Sequence, residues 1–341
     1  MDTDTTFTGA LDDNRSVVAK EKDFKDEEIA LATVPNWIEK TPSSFVGKYK
    51  VRNQSSSLSC VAQTGATLLG VDNQREEGRF IEFSAKTIYA KRSNRPSGGM
   101  IGVESLEILC KTGSTLECLV PSQNISETPM NNVENIKPSD DELGKVFKAG
   151  GFVQCQFDID VIAGIMESYR QNGCAKPLMT WFRFPFAEWD AFPEVKPHNG
   201  NTVHHSVTAI DYCLISGVKY LVIQDSWGHD STTYNGLRFV SQEYIRNRMT
   251  FCAYILDLSN VPSVNIPSEI TVDRDLKLGD NNREVMDMQM LLKAKGFFPN
   301  VACTGLFGNI TLRAVKQFQL SRGLKPDGKV GPKTRQRMNS R

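Results

Sequence analysis

Two segments that lie far apart in the chain carry the residue types that nucleophilic catalysis needs. Cys60 follows a run of serines and comes six positions after Gln54, while His204 and His205 stand side by side in TVHHSVTAIDY. A thiol is a useful nucleophile only when it is ionised, and both an imidazolium and the first turn of a helix favour that form. These segments therefore predict a cysteine nucleophile with a histidine as its general base.

A third segment carries a group that is suited to orient the histidine. VIQDSWG follows about twenty residues after His205 and contains Asp225 and Trp227 at the end of an apolar run. A carboxylate beside an imidazole fixes the orientation of the ring, as the third member of a catalytic triad does. The three segments together predict a Cys-His-Asp site.

The elements that must position these residues change in type along the chain. VAQTGATLLGV after Cys60, FSAKTIYAKRS (83–93) and VESLEILCKTG (103–113) carry apolar residues at helical spacing. From about residue 150 the pattern changes to strands, in GFVQCQFDI, PLMTWFRFPF, VHHSVTAIDY, KYLVIQDSW, GLRFVS and TFCAYILDL. This order predicts an α+β fold whose halves face each other across a groove for a substrate.

The bulk composition excludes several classes of protein. The chain has 341 residues, of which 40% are hydrophobic, and its 40 basic and 40 acidic side chains give no net charge. The balanced charge predicts no nucleic-acid partner. No apolar run reaches the roughly 18 residues of a membrane span, so we expect no membrane partner. The N-terminus lacks the basic and apolar regions of a secretory signal, which predicts synthesis in the cytoplasm.

The eight cysteines show neither a CxxC pair nor zinc-ligand spacing with histidine. We therefore expect no metal and no other cofactor. In a reducing compartment seven of these cysteines are expected to be small buried hydrophobic residues. Only the surroundings of Cys60 indicate chemistry.

Changes in composition divide the chain into four parts. Residues 1–33 are polar and highly charged, which predicts a tail or a short pro-segment. Residues 34–258 have the composition of a globular domain. Residues 259–274 are rich in Pro, Ser and Asn and predict a linker. Residues 275–341 form a compact final segment.

The order and spacing of the motifs resemble those of the papain family of cysteine peptidases. Five segments carry the resemblance. VPNWIE resembles the family's mature N-terminus, VRNQ its PVxNQ, and SGGMIGVESLEILCKTG its NGG with the helix that follows. HHSVTAIDY resembles (N/D)HAVxxVGY, and IQDSWG resembles xxNSWG. Cys60 and His205 are 145 positions apart (205 minus 60), within the roughly 130–150 that the family shows. The resemblance implies two lobes, one helical and one an antiparallel, β-barrel-like sheet.

The resemblance also implies a role for each matching residue. Cys60 would be the nucleophile, His205 the general base that also protonates the leaving amine, and Asp225 the group that orients His205. Gln54 and the backbone N–H of Cys60 would form the oxyanion hole, in which one side-chain donor typically contributes about 10²–10³ in rate.

Four further residues are implied to bind substrate or to shield the site, namely Gly98, Gly99, His204 and Trp227. Gly99 matches the glycine whose bare backbone pairs with an extended peptide substrate. Trp227 would shield the contact between His205 and Asp225 from water.

Several positions depart from the family pattern, and two of them concern the predicted site. The family usually has Asn where Asp225 stands, and a carboxylate would hold an imidazolium more strongly and raise its pKa. Val61 stands where the family has tryptophan. A peptidase of the bacteriocin-leader type, which also uses Gln, Cys, His and Asp, is the alternative within the class, although its Cys-to-His spacing is shorter and it lacks the SWG element.

The final segment contains an internal sequence repeat. TGLFGNIT (304–311) recurs as DGKVGPKT (327–334), and each copy has two glycines that permit a tight turn. REVMDMQMLLKAKG and ITLRAVKQFQLSRG have apolar residues at helical spacing, which predicts a small three-helix bundle. The stretch resembles the peptidoglycan-binding domain of cell-wall enzymes over about 275–338. The candidate ligand residues are Gly308, Thr311, Phe318 and Gln319.

The two resemblances together predict a cysteine peptidase that acts at the bacterial cell wall. Its partners would be peptidoglycan and a peptide or protein substrate. The first hypothesis is a lytic, endolysin-like enzyme, encoded by a phage or carried in a particle, that cuts the peptides of peptidoglycan. A second is a wall-anchored protease that cuts proteins, because peptidoglycan stems contain D-residues that a papain-like cleft would resist. A third is a non-catalytic wall-binding protein with a decayed peptidase domain.

Overall fold

The computed structural model describes residues 9–11, 34–48, 50–78, 80–197, 202–228, 234–256, 258, 271–295, 297–298 and 303–339. The chain divides into two compact units, Met1–Ser259 and Asn260–Arg341. Most of the predicted N-terminal extension (1–33) and of the predicted linker (259–274) lies outside the described residues. Within the described part of the chain, every helix is too short or too polar to cross a membrane.

The first half of the first unit is helical. Its α-helices are α1 (Cys60–Glu77), α2 (Ala85–Tyr89), α3 (Gly102–Lys111), α4 (Glu127–Asn131) and α5 (Pro138–Gly144), with 3-10 turns at Pro42–Phe45 and Lys145–Phe147. The end of α1 is Gly78, whose φ of 69° is a left-handed conformation that glycine adopts at little cost. The helices predicted after Cys60 and within 83–93 and 103–113 are confirmed.

The second half of the first unit is a six-stranded antiparallel sheet in the order β1-β6-β2-β3-β4-β5. The strands are β1 (Phe152–Gln154), β2 (Leu178–Phe184), β3 (Val203–Ile215), β4 (Val218–Gln224), β5 (Leu237–Ser241) and β6 (Met249–Ile255). Each lies where the sequence predicts a strand. Between them lie α6 (Ile159–Ser168), α7 (Gln242–Arg248) and a 3-10 turn at Phe186–Glu188. The predicted α+β fold is confirmed.

The helix that begins at Cys60 runs through the interior of the first unit. Almost all of α1 is buried, including polar residues such as Gln63 and Thr64, and it packs against β3. A helix that is buried on every side is held by the surrounding core rather than by one apolar stripe. The position of Cys60 is therefore fixed relative to the strand that carries His205.

Among its described residues, the second unit contains three α-helices, α8 (Arg283–Ala294), α9 (Asn309–Ser321) and α10 (Pro332–Asn339), as predicted. Its core includes the fully buried side chains of Val285, Leu292, Phe307 and Phe318. Short bridges pair Leu276 with Val330 and Asn281 with Leu306.

The internal sequence repeat of the second unit has a structural cause. Gln289 on α8 accepts a hydrogen bond from the N–H of Gly305 (3.0 Å) and donates one to Thr311 Oγ1 (2.8 Å). Gln319 on α9 makes the equivalent contact with the N–H of Gly328 (2.9 Å). In each copy a buried glutamine thus holds the turn that follows its helix.

The interior of the first unit also contains a pair of opposite charges. Lys176 Nζ lies 2.8 Å from Asp72 Oδ2, and both side chains are completely buried. Arg75 Nε contacts the other oxygen of Asp72 at 2.6 Å. Removing one partner of such a pair leaves an uncompensated charge in the interior. This costs more stability than replacing both partners with apolar residues.

We expect Asp72→Asn to lower the free energy of unfolding of the first unit by about 3–5 kcal/mol, because it leaves Lys176 without its carboxylate. All four tryptophans precede residue 259, so their fluorescence in a denaturant titration reports on this unit. The control is Glu142→Gln, which breaks a contact with Lys145 between side chains that are 62% and 50% exposed. Its cost should be about 0.5 kcal/mol or less. Equal costs for the two variants would contradict the importance of the buried pair.

Candidate active site

Cys60 is the first residue of α1 and is completely buried in the full chain. The backbone N–H groups in the first turn of a helix have no partner within the helix and carry partial positive charge. Ser59 precedes the helix and makes no capping hydrogen bond through its side chain. The sulfur therefore lies at the positive end of a long buried helix.

His205 and Asp225 are brought together by the pairing of β3 with β4. Asp225 follows the last residue of β4, Gln224, which lies opposite Thr208 in the register of the two strands. His205 Nε2 lies 2.7 Å from Asp225 Oδ1, and both side chains are buried. Among the described residues, His205 Nδ1 has no hydrogen-bond partner that meets the usual geometry. Cys60 is close enough to contribute to the raised pKa of the ring, and Nδ1 is the ring nitrogen that Asp225 does not occupy.

Burial alone would disfavour a charged imidazole at this position. The charge of Asp225 and its hydrogen bond outweigh burial, with a further contribution from Cys60, and they raise the pKa of His205 to about 9. Conversely, His205 and Arg238 hold the pKa of Asp225 well below its ordinary value, although burial opposes this. The site therefore favours a carboxylate beside an imidazolium at neutral pH.

Two residues that the sequence did not single out complete the surroundings of Asp225. Arg238 Nε donates to Asp225 Oδ2 at 2.6 Å, and Trp189 Nε1 donates to the same oxygen at 2.7 Å. Arg238 lies on β5, the neighbour of β4, in the segment GLRFVS. The only signal in the sequence that Arg238 is unusual is its position inside a strand of apolar residues. This signal does not reveal that its partner is Asp225.

The aromatic rings around His205 exclude water from its contact with Asp225. Trp227 stacks on the His205 ring with centroids 4.3 Å apart, and Trp189 approaches edge-on at 6.1 Å. Phe186 stacks on Trp227 at 5.5 Å. The placement agrees with the expected shielding by Trp227. His204 is half-buried, and since successive side chains on a strand alternate, it points away from His205.

Gln54 is fixed by a loop that contacts the segment after β4. Its Oε1 accepts a hydrogen bond from Ser226 Oγ at 2.6 Å, and its Nε2 donates to the carbonyl of Ser57 at 2.8 Å. Its backbone N–H donates to the carbonyl of Ser226 at 2.8 Å. The loop before Cys60 is therefore joined to the segment that carries Asp225, so that the positions of Gln54 and Asp225 are fixed relative to each other.

The backbone around Gly99 differs from the expectation. The N–H of Gly99 donates to Tyr89 Oη (3.0 Å), and its carbonyl accepts from Asn94 Nδ2 (3.2 Å), so both groups are engaged within the helical half. Met100 instead pairs with an extended segment: its N–H donates to the Gly9 carbonyl, and its carbonyl accepts from the N–H of Leu11 at 3.0 Å. The neighbouring Gly98 faces the side chain of Leu58.

Residues 9–11 lie against the loop that leads into Cys60. A Cβ on Gly9 would stand 1.8 Å from the carbonyl oxygen of Leu58, which leaves no room for any side chain. The Leu11 side chain lies against Gly99, where a Cβ would come within 2.9 Å of it. An extended piece of the chain therefore rests against two of the segments that are predicted to line the substrate cleft.

No group of three or more His, Cys, Asp or Glu side chains that could hold a metal occurs within the described residues. All eight cysteines are free thiols.

A groove of about 930 Å³ lies on the second unit, next to the second copy of the repeated turn. Four lysines line it, Lys277, Lys325, Lys329 and Lys333, and its lining has five basic and three acidic side chains. Of the four candidate ligand residues, Gln319 lines the groove. Phe318 is fully buried in the core, Thr311 is bonded to Gln289, and Gly308 precedes α9 outside the groove lining.

Comparison with known proteins agrees with this architecture. Residues 281–338 match the family described as "Putative peptidoglycan binding domain". A similar structure is xylellain, a cysteine protease from Xylella fastidiosa, with 17% identity and a TM-score of 0.59, over 74% of this chain and 96% of that chain. Procathepsin B S9 from Trypanosoma congolense has 13% identity and a TM-score of 0.54, over 74% of this chain and 87% of that chain.

The recombinant stem bromelain precursor is similar at 16% identity, with a TM-score of 0.50, over 74% of this chain and 77% of that chain. A search of curated protein sequences found no significant match. At these identities the likeness shows the fold. The chain combines a papain-like fold with a C-terminal region of the peptidoglycan-binding type, and the resemblance that the sequence indicated is confirmed to this extent.

We expect Gly9→Val to expose the site, because its side chain would collide with the backbone of Leu58 and displace residues 9–11. Iodoacetamide should then label Cys60 about tenfold faster or more than in the unchanged chain, since labelling follows the accessible fraction. The rate is measured by mass spectrometry of the peptide that contains Cys60. The control, Gly308→Ala, adds a methyl group with no atom within 4 Å and should leave the rate unchanged. Equal rates in all three proteins would show that residues 9–11 do not shield the thiol.

Proposed function

We propose that the first unit is a cysteine peptidase and that the second unit holds it on bacterial peptidoglycan. One observation carries the proposal: inside a papain-like fold, His205 contacts Asp225 through Nε2 and interacts with Cys60, which begins a buried helix. A carboxylate, an imidazole and a thiol in this order are the arrangement of a cysteine hydrolase. The catalytic roles predicted for Cys60, His205, Asp225 and Gln54 belong to this proposal.

In the first half of the proposed reaction, the thiolate of Cys60 attacks the carbonyl carbon of the scissile peptide bond. A carbon–sulfur bond forms, and negative charge moves to the carbonyl oxygen. That oxygen is stabilised by the amide of Gln54 and the N–H of Cys60, which stand at the same loop-to-helix junction. The carbon–nitrogen bond then breaks as the imidazolium of His205 gives its Nδ1 proton to the leaving amine.

In the second half, the now neutral His205 accepts a proton from water, and the hydroxide attacks the thioester. The carbon–sulfur bond breaks, the acid product leaves, and the thiolate–imidazolium pair is restored. Asp225 keeps the ring oriented through both steps, because its bond to Nε2 leaves Nδ1 on the side of the sulfur.

The proposed location of the activity follows from the second unit. Its match to a peptidoglycan-binding family covers 281–338, and its groove carries an excess of basic side chains. Peptide stems of the wall bear carboxylates, which lysines attract. Binding the wall raises the local concentration of substrate at the peptidase, so a weak module is enough. A lytic, endolysin-like enzyme is the form of activity that we propose, and a phage origin stays a prediction.

The contacts of residues 9–11 support the proposal that the enzyme is latent in the full chain. They pair with Met100 and press on Leu58 two positions before Cys60, while the thiol is completely buried. We propose that a substrate must displace this segment, or that cleavage must remove it, before the thiol can act. The sequence-based prediction of a pro-segment in 1–33 is included in this proposal.

A second candidate function is the cleavage of proteins at the wall. The segment beside the site, Gly9, Ala10 and Leu11, contains two ordinary L-residues after an achiral glycine and is paired through its backbone. A surface that accepts such a strand favours an L-peptide over a wall stem with D-residues. The digestion below distinguishes the two substrates.

We expect the Gly9→Val chain to release new free amines from purified sacculi, and Cys60→Ala in the same background to reduce the rate by about 10³-fold or more. The amines are measured by a fluorogenic amine reagent, and casein serves as the parallel protein substrate. Cys110→Ala, which changes a half-buried cysteine on α3, is the control that should retain activity. Release from casein but not from sacculi would transfer the function to the second candidate. No release from either would contradict a peptidase.

We also expect the full chain carrying Cys60→Ala to sediment with sacculi, and a chain ending at residue 259 to remain in the supernatant. Lys329→Glu with Lys333→Glu should weaken sedimentation about tenfold or more, because two cations in the groove become anions. Arg313→Glu reverses an exposed charge outside the groove lining and should have little effect. If the charge reversals in the groove and outside it act equally, the groove is not the binding site.

A further inference from the structure

Asp225 is surrounded by donors on both of its oxygens. Oδ1 contacts His205 Nε2 (2.7 Å) and accepts from the N–H of Trp227 (3.1 Å). Oδ2 accepts from Trp189 Nε1 (2.7 Å) and Arg238 Nε (2.6 Å). A buried carboxylate needs both hydrogen bonds and a compensating charge. His205 can lose its proton during a reaction, whereas the guanidinium of Arg238 cannot.

Arg238 is held in this position by more than its contact with Asp225. Its side chain is 2% exposed, and Nη1 donates to the carbonyl of Trp189 at 2.7 Å. The guanidinium carbon lies 5.0 Å from the ring centroid of Trp189 and 5.9 Å from that of Trp227. These are the same two rings that flank His205. A permanent cation is therefore fixed behind the carboxylate, on the side opposite the imidazole.

We propose that Arg238 is a positioning residue for the peptidase reaction: it compensates the charge of Asp225, so that the carboxylate orients His205 without holding the imidazolium too tightly to release its proton. This inference rests on the proposed function and adds a fifth side chain to it. A lone buried carboxylate would place its whole charge on the imidazolium and oppose transfer of the Nδ1 proton to the leaving amine. Sharing the carboxylate between two cations limits that effect.

The other charged groups near the site are already paired. Glu188 and Arg248 form an ion pair at 2.8 Å. Tyr244 on α7 packs against Trp189, and burial raises the pKa of its hydroxyl above the ordinary range. Arg52 lies at a small cavity together with Asp225 and Ser226, and it is paired with Glu117 at 2.9 Å.

The test is a pH titration of the imidazole of His205 in the full chain, followed by nitrogen-15 NMR after selective histidine labelling. The chain has four histidines, and His205→Gln identifies the relevant signal. Arg238→Met removes the compensating charge, so the carboxylate should stabilise the imidazolium more and raise the pKa of His205 by about one pH unit or more. Arg238→Lys keeps the charge and should restore most of the original titration.

Arg170→Met is the matched control. It also removes a guanidinium from a buried aspartate, since Arg170 lies 2.9 Å from Asp211, but this pair is six residues farther along β3 from His205. A loss of stability with no change in the pKa of His205 is expected. If Arg238→Met only lowers stability, as Arg170→Met does, or lowers the pKa of His205, the inference is wrong.

A second comparison serves if Arg238→Met fails to fold. Asp225→Asn leaves the cation of Arg238 facing His205, so the pKa of His205 should fall below that of the double variant Asp225→Asn with Arg238→Met. Equal values in the single and double variants would overturn the inference. The proposed function fails by a different result, in which His205 of the unchanged chain titrates near its ordinary pKa of about 6.5 and Cys60 shows no special reactivity in the Gly9→Val chain.

Discussion

The carboxylate of Asp225 is the group around which the site is built. It is buried, and a charge in that position persists only if the surroundings replace water with donors and opposite charge. Three neighbouring parts of the sheet-rich half supply them: β3 brings His205, β5 brings Arg238, and the turn before residue 190 brings Trp189. Because each donor comes from a different element, the geometry exists only when the sheet has formed.

The helical half contributes the sulfur, and its placement depends on the same contact network. α1 is buried on all sides and packs against β3, while the loop before it is bonded to Ser226, next to Asp225. The thiol and the imidazole therefore cannot separate without disturbing either the core or this loop. The burial of Cys60 in the full chain accords with residues 9–11 lying against Leu58 and Gly99. On this account, the site is assembled in advance and access to it is the controlled step.

The sequence predicted the elements of the fold better than the contacts between them. Apolar spacing identifies the strands, the run of small and apolar residues after Cys60 identifies α1, and the repeated TG and DG turns identify the second unit. α6 lies in a region where strands are predicted, because strands surround it on both sides. Its own residues nevertheless carry helix signals: Asp158 caps its start, and apolar residues recur at helical spacing. Motif order also pointed to Cys60, His205 and Asp225, which lie together in the structure.

Arg238, Trp189 and the pairing of Met100 could not be predicted in this way. Each depends on a neighbour distant in the chain: Arg238 is 13 positions from Asp225 and Trp189 is 36, and no local pattern encodes either contact. The expectation for Gly99 came from a motif, whereas the engagement of its backbone depends on the Tyr89 hydroxyl and Asn94. The ligand residues of the second unit could not be predicted from the repeat for a similar reason. A residue that recurs in both copies, such as Gln319, recurs because its side chain holds the turn from inside the unit.

The central claim is that the imidazole of His205 activates the sulfur of Cys60 as a nucleophile. It is tested most directly by alkylating all eight cysteines with iodoacetamide at pH 6, in the Gly9→Val chain with and without His205→Gln. An ordinary thiol is less than about 1% ionised at that pH. The account predicts that Cys60 alone reacts quickly and that loss of the imidazole slows it by about 100-fold. A Cys60 that reacts no faster than the other seven, or equally fast with and without His205, would contradict it.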